Sequence, residues 1–225
     1  MNKSMNSLQK PAPVWDLPLR VFHWGLLIAV VGAIASAKNG EMYWHQKSGL
    51  TELGLVAFRL IWGVIGSHHA RFRNFMVGPR RVLAYIAERR GGDRSVHPGH
   101  APTGAYATLA LLAVLLGMAL LGAMSNDDIL YEGPLAAYVG SFTNRASDLH
   151  HIGEKLVFFL IAAHLAAILI YRYVLKIKLL PAMVNGGQDP KITPITPLRQ
   201  AIGFAVMAAT LAAAHSLSNL GDRFF

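Results

Sequence analysis

The sequence predicts an all-α integral membrane protein, and three observations carry that prediction. The 225-residue chain is 53% hydrophobic and only 15% charged, with a mean hydropathy of +0.38, values that belong to membrane proteins and not to soluble domains. Five apolar stretches recur along it, near residues 21–37, 43–66, 105–124, 149–175 and 201–217. Each approaches or exceeds the length an α-helix needs to cross a hydrocarbon layer about 30 Å thick. Finally, basic residues crowd alternate connections.

The first stretch carries His23 and Trp24 and lacks a small-x-small exit, so it reads as a retained span and not a cleaved signal. The second opens with His45 and contains Arg59. Residues 67–102 form the longest inner connection, where 79–88 suits a short amphipathic surface helix that Gly91-Gly92 ends. The third stretch is uniformly apolar. The outer segment 125–148 has room for a short helix near 135–139, and the fourth stretch follows with His150, His151 and His164. A connector rich in Pro and Gly, 181–198, leads to the fifth. The connections are too short to hide a soluble catalytic domain.

The formal charge of +9 raises nucleic acid as a partner, but its distribution excludes it. Arg71, Arg73, Arg80, Arg81, Arg89, Arg90 and Arg94 lie between the second and third stretches; Arg172, Lys176, Lys178, Lys191 and Arg199 lie between the fourth and fifth. The intervening connection holds Asp127, Asp128, Glu132 and Asp148 against Arg145. Alternation of this kind is the positive-inside pattern, and it places the N-terminus in the cytoplasm and the C-terminus outside. No cysteine is present, which excludes thioether-attached haem, thiolate-held iron–sulfur clusters and disulfides within the chain.

Histidine inside a span points to function. His150 and His164 are fourteen residues apart, which returns a helical side chain to nearly the same face about 21 Å further on. His151 falls on another face. Two imidazoles on one stripe, one in each half of the bilayer, suit two stacked haems. Sorting by depth pairs His23 with His164 at the inner level and His45 with His150 at the outer level, giving four axial iron ligands. Bis-histidine ligation leaves iron no open position, which favours electron transfer. His68, His69, His97 and His100 read as solvated or loop-bracing, and His215 as an outer-interface residue. A single tetrahedral zinc site fits the level separation poorly.

Arg59 stands fourteen residues after His45 and shares its face. Two readings stay open: a partner for the propionates of the inner haem, or a side chain snorkelling to the inner interface. Arg20, just before the first stretch, is a second inner-side candidate. Trp24, Trp44 and Trp62 read as interfacial markers or pocket walls.

Several segments are similar to one known family. They are Val14-Trp15-Asp16 with Arg20-Val21-Phe22-His23-Trp24, and His45-Gln46-Lys47-Ser48-Gly49 through Phe58-Arg59-Leu60-Ile61-Trp62-Gly63. Gly99-His100-Ala101-Pro102-Thr103-Gly104-Ala105, and Leu149-His150-His151 with Ala163-His164-Leu165, complete the set. The chain resembles the bacterial cytochrome b561 and nickel-hydrogenase b-type cytochrome family. That resemblance implies a four-helix haem-binding bundle with two haem b groups on the histidines above, placed in the bacterial inner membrane and exchanging electrons with quinone. With the apolar stretches and the charge pattern, the chain is expected to divide into an N-terminal cytoplasmic tail (1–20), a di-haem membrane domain (21–175), a cytoplasmic connector (176–198), and a fifth transmembrane helix with a short outer tail (199–225). Two departures stand out: His151 replaces the family's usual glutamate after the outer ligand, and a fifth span follows the bundle.

The expected role is an electron-transfer subunit between the quinone pool and a periplasmic redox protein, either a hydrogenase-like enzyme or a cytochrome c. The acidic outer connection offers a docking face to a basic cytochrome. A stand-alone superoxide:quinone oxidoreductase is the alternative, and it calls for a basic outer pocket drawn from Lys38, Lys47 and Arg145. A non-redox scaffold or transporter is the third reading. It would show paired Gly/Pro interruptions in its spans, and none is evident.

Overall fold

A computed structural model describes residues 13–92, 99–126, 131–192 and 194–221. Arg94, His97, Asp127 and Asp128 lie outside these residues. The protein is all-helical, and among the described residues five helices are long and apolar enough to cross a membrane: α1 (Leu17–Lys38), α2 (Met42–Ile65), α5 (Pro102–Met124), α7 (Phe142–Leu169) and α9 (Pro197–Ser216). Shorter helices stand between and after them: α3 (Phe72–Phe75), α4 (Pro79–Arg90), α6 (Ala136–Val139), α8 (Leu180–Asn185) and α10 (Ser218–Gly221).

α1 and α9 begin earlier than hydropathy alone places them, because their first turns are set by capping. The Asp16 carboxylate accepts from the Leu19 amide at 2.8 Å, with Pro18 in the first turn of α1. Thr196 does the same for Arg199 at 3.3 Å, with Pro197 opening α9. α7 starts seven residues before the apolar stretch, since 142–148 is polar but still helical. Its far end widens into a π-helical turn, Ile170–Val174. The surface helix α4 and the short α6 lie where the sequence puts them. α3, and α8 inside the Pro/Gly-rich connector, are additions.

α1 and α2 form a tight antiparallel hairpin turned at Gly40, whose φ is +74°. α2 is central: α1, α5 and α9 all pack on it. The fifth span therefore belongs to the bundle. A Cβ on Gly54 would lie 2.9 Å from the Leu211 Cα, so only glycine lets α2 and α9 approach this closely. α7 packs along α5 and does not lie close against α1 or α2. Ala146 and Val157 are its buried residues. Outward faces are apolar, with Ile28, Val64 and Phe159 each roughly two-thirds exposed, as lipid contact requires.

Candidate functional site

The side of α7 that looks across to α1 and α2 carries the histidines. His45, near the start of α2, and His150, in the first turn of the apolar part of α7, meet with ring centroids 6.0 Å apart and planes at 84°. The His45 Nδ1 bonds the Ala33 carbonyl at 2.9 Å, and the His150 Nδ1 bonds the Met118 carbonyl at 3.0 Å. A carbonyl can only accept, so each Nδ1 carries the proton and each Nε2 keeps its lone pair. Anchoring of this kind is how metal-binding imidazoles are oriented. Two imidazoles on opposite sides of one ion, each bonded at about 2 Å, would have centroids about 6 Å apart.

Glycine makes room for this pair. A Cβ on Gly122 would stand 3.0 Å from the His150 Cε1 and 3.3 Å from its Nδ1. The Tyr131 hydroxyl donates to the Gly122 carbonyl at 3.0 Å, closing the outer segment over the same turn. His151 is exposed on another face, its ring 6.3 Å from that of His150.

At the inner level, His23 on α1 and His164 on α7 are close enough for the charge of one to act on the other. The His23 Nδ1 is buried with no hydrogen-bond partner, and its ring stands edge-on to Trp24 at 5.3 Å. All four histidines are half-buried.

Arg59 does not snorkel. It is 2% exposed, donates from Nη1 to the Ala70 carbonyl at 3.0 Å, and lies 4.6 Å over the Phe72 ring. Its Nη2 is buried and unpaired. Arg20 donates to the Val184 carbonyl at 2.5 Å, pinning α8 under the bundle, and its Nε is likewise unpaired. Trp62 is not an interfacial marker: it is fully buried, and its indole donates to Asp16 at 3.0 Å. The same carboxylate accepts from the Ser67 hydroxyl. Trp44 is exposed, as an interfacial side chain should be.

Of the remaining histidines, His69, His100 and His215 brace loops and helix ends. His69 pairs with Asp189 at 3.0 Å. The Asp189 carboxyl is held below the usual carboxylate range by the Lys191 amide first and by His69 after burial is offset. His100 lies between Phe75, stacked at 4.2 Å, and Trp15, edge-on at 4.7 Å. Burial, with Arg59 and His69 adding to it, pushes His100 down to about 3. The His215 Nε2 bonds the Thr51 hydroxyl at 3.0 Å, tying the end of α9 to α2.

Sequence reasoning passed over two buried acids. Asp16 was legible as an N-cap acid before Pro18. Glu52, 6% exposed in the middle of α2, was legible as an ionisable residue inside a span.

A membrane bundle that brings imidazoles of two crossing helices together, in a chain without cysteine, could hold a haem through histidine alone. The family model for prokaryotic cytochrome b561 matches residues 14–186, and the chain belongs to that family. It is accordingly a multi-pass membrane protein of a family that binds b-type haem and transfers electrons. No curated protein and no solved structure gives a significant match.

Proposed function

We propose that the chain holds two b haems and conducts electrons between the quinone pool and a periplasmic redox partner across the bacterial inner membrane. His45 and His150 would hold the outer haem, and His23 and His164 the inner one. The observation that carries this reading is the His45–His150 pair, 6.0 Å between centroids with both Nδ1 atoms committed to carbonyls. When bound, b haem held by these histidines would supply reversible one-electron exchange.

The protein's own groups then do two things. The carbonyls of Ala33 and Met118 fix ring orientation and tautomer. The unpaired Nη2 of Arg59 and Nε of Arg20 each offer a donor to a carboxylate at the inner end. The N-terminus in the cytoplasm follows from the basic inner connections. A stand-alone superoxide oxidase is less well supported, because two of its three outer cations are engaged: Lys38 pairs with Glu154 at 2.5 Å and Lys47 sits over Tyr43 at 5.5 Å.

The test is haem counting and reduced-minus-oxidised spectroscopy on the purified chain and its four single histidine-to-alanine variants. Two irons per chain are expected, with one lost or severely disturbed in each variant. A colourless wild-type protein refutes the reading.

A further inference from the structure

Glu52 sits in the apolar middle of α2, 6% exposed, with Oε1 buried and bonded to nothing among the described residues. It stands seven residues after His45 and seven before Arg59. Seven residues are almost two full turns, so the three side chains share one stripe in steps of about 10.5 Å. Glu52 thus lies between the outer histidine level and the inner one.

Its surroundings supply no fixed counter-charge. α1 has no titratable residue between His23 and Lys38, and α5 has none but Tyr106 near its inner end. α9 contributes Arg199, whose guanidinium is bonded to the Ile65 carbonyl at the inner end, and His215, which is bonded to Thr51. α7 carries His150, His151, Glu154, Lys155 and His164, but it does not pack closely on α2. α3 adds Arg73 beyond the inner end. A carboxyl group here gains or loses its proton according to the charge arriving at the two levels.

We propose that Glu52 is the proton-accepting group that balances charge as electrons pass through the bundle. The inference rests on the two-haem reading above. One electron from a one-electron donor removes one positive charge at a histidine level. The Glu52 carboxylate then takes one proton from water, forming one O–H bond, so that the net charge of the interior is unchanged. On reoxidation the O–H bond breaks and the proton returns to water. Uncompensated charge in a low-dielectric interior is costly, and Glu52 is placed to respond to either level.

The experiment uses the full chain loaded with haem, with dithionite as electron donor, and reads infrared difference spectra and the pH dependence of the reduction equilibrium. A carboxylic C=O band should appear on reduction, shift in deuterium oxide and be absent from Glu52→Gln. The reduction equilibrium should change by up to about tenfold per pH unit in the wild type. That dependence should flatten in Glu52→Gln and return in Glu52→Asp. A Glu52→Gln protein with intact b-type absorption and unchanged pH dependence overturns the role of Glu52 and leaves the two-haem reading standing. Failure of the wild type to bind haem overturns both. Should Glu52→Gln not assemble, Glu52→Asp decides: its C=O band must move in frequency, and an unmoved band assigns the proton elsewhere.

Discussion

Enlarging Gly122 should disable the outer level alone. The Cβ of any other residue there would stand 3.0 Å from the His150 Cε1 and 3.3 Å from its Nδ1, against ordinary contacts of 3.4 Å and more. With alanine the ring must yield by a few tenths of an ångström. With valine, the added methyl groups leave no position in which His150 keeps its 3.0 Å bond to the Met118 carbonyl. Losing that bond costs about 1 kcal/mol. Loss of an orienting partner typically lowers metal affinity about 10–100-fold. The assay is haem content with low-temperature spectra that separate the two centres. Gly122→Val should retain one haem with inner-level character, and Gly122→Ala should retain both with a shifted outer signal. Gly117→Ala is the control, since a Cβ at Gly117, on the same helix, meets nothing within 4 Å. A Gly122→Val protein with two unperturbed haems would refute the placement of His150.

Two further predictions concern His100 at one end of the bundle and the contact between α2 and α9. His100 is held neutral in the folded state, so its contribution is complete above its ordinary value near 6.5 and is lost as pH falls toward about 3. Each pH unit in that window costs about 1.4 kcal/mol, and hydrogen-exchange protection at 67–75, corrected for the intrinsic rate at each pH, should fall below about pH 6 in the wild type but much less in His100→Phe. Gly54→Leu should push α9 off α2, since the Leu211 Cα lies 2.9 Å from the new Cβ. It should cost about 1–3 kcal/mol in thermal stability, and the proximity of Thr51 and His215 should be lost to engineered cross-linking.

The five crossings were readable because lipid imposes one rule on every outward residue, and apolar runs of sufficient length obey it. The surface helix α4 was readable from Pro79 and Gly91, two residues whose backbone preferences mark helix ends. Fourteen-residue spacing singled out His150 and His164, and His150 stands beside His45. What periodicity could not reveal was tertiary pairing. Trp62 carries the signature of an interfacial residue until Asp16, 46 positions earlier, receives its indole proton. Arg59 near a span end suggests snorkelling until the loop beyond α2 folds back and places the Ala70 carbonyl over it. The packing of the fifth helix depended on glycine at position 54, whose role appears only once a second backbone lies against it.

The Asp16 carboxylate ties three separate pieces of chain: the Leu19 amide, the Trp62 indole and the Ser67 hydroxyl. The start of the first crossing is thus fastened to the exit of the second. During synthesis that fastening cannot close until residue 67 has emerged, so the opening two helices reach their final seating together, as a clasped hairpin on which the later crossings assemble.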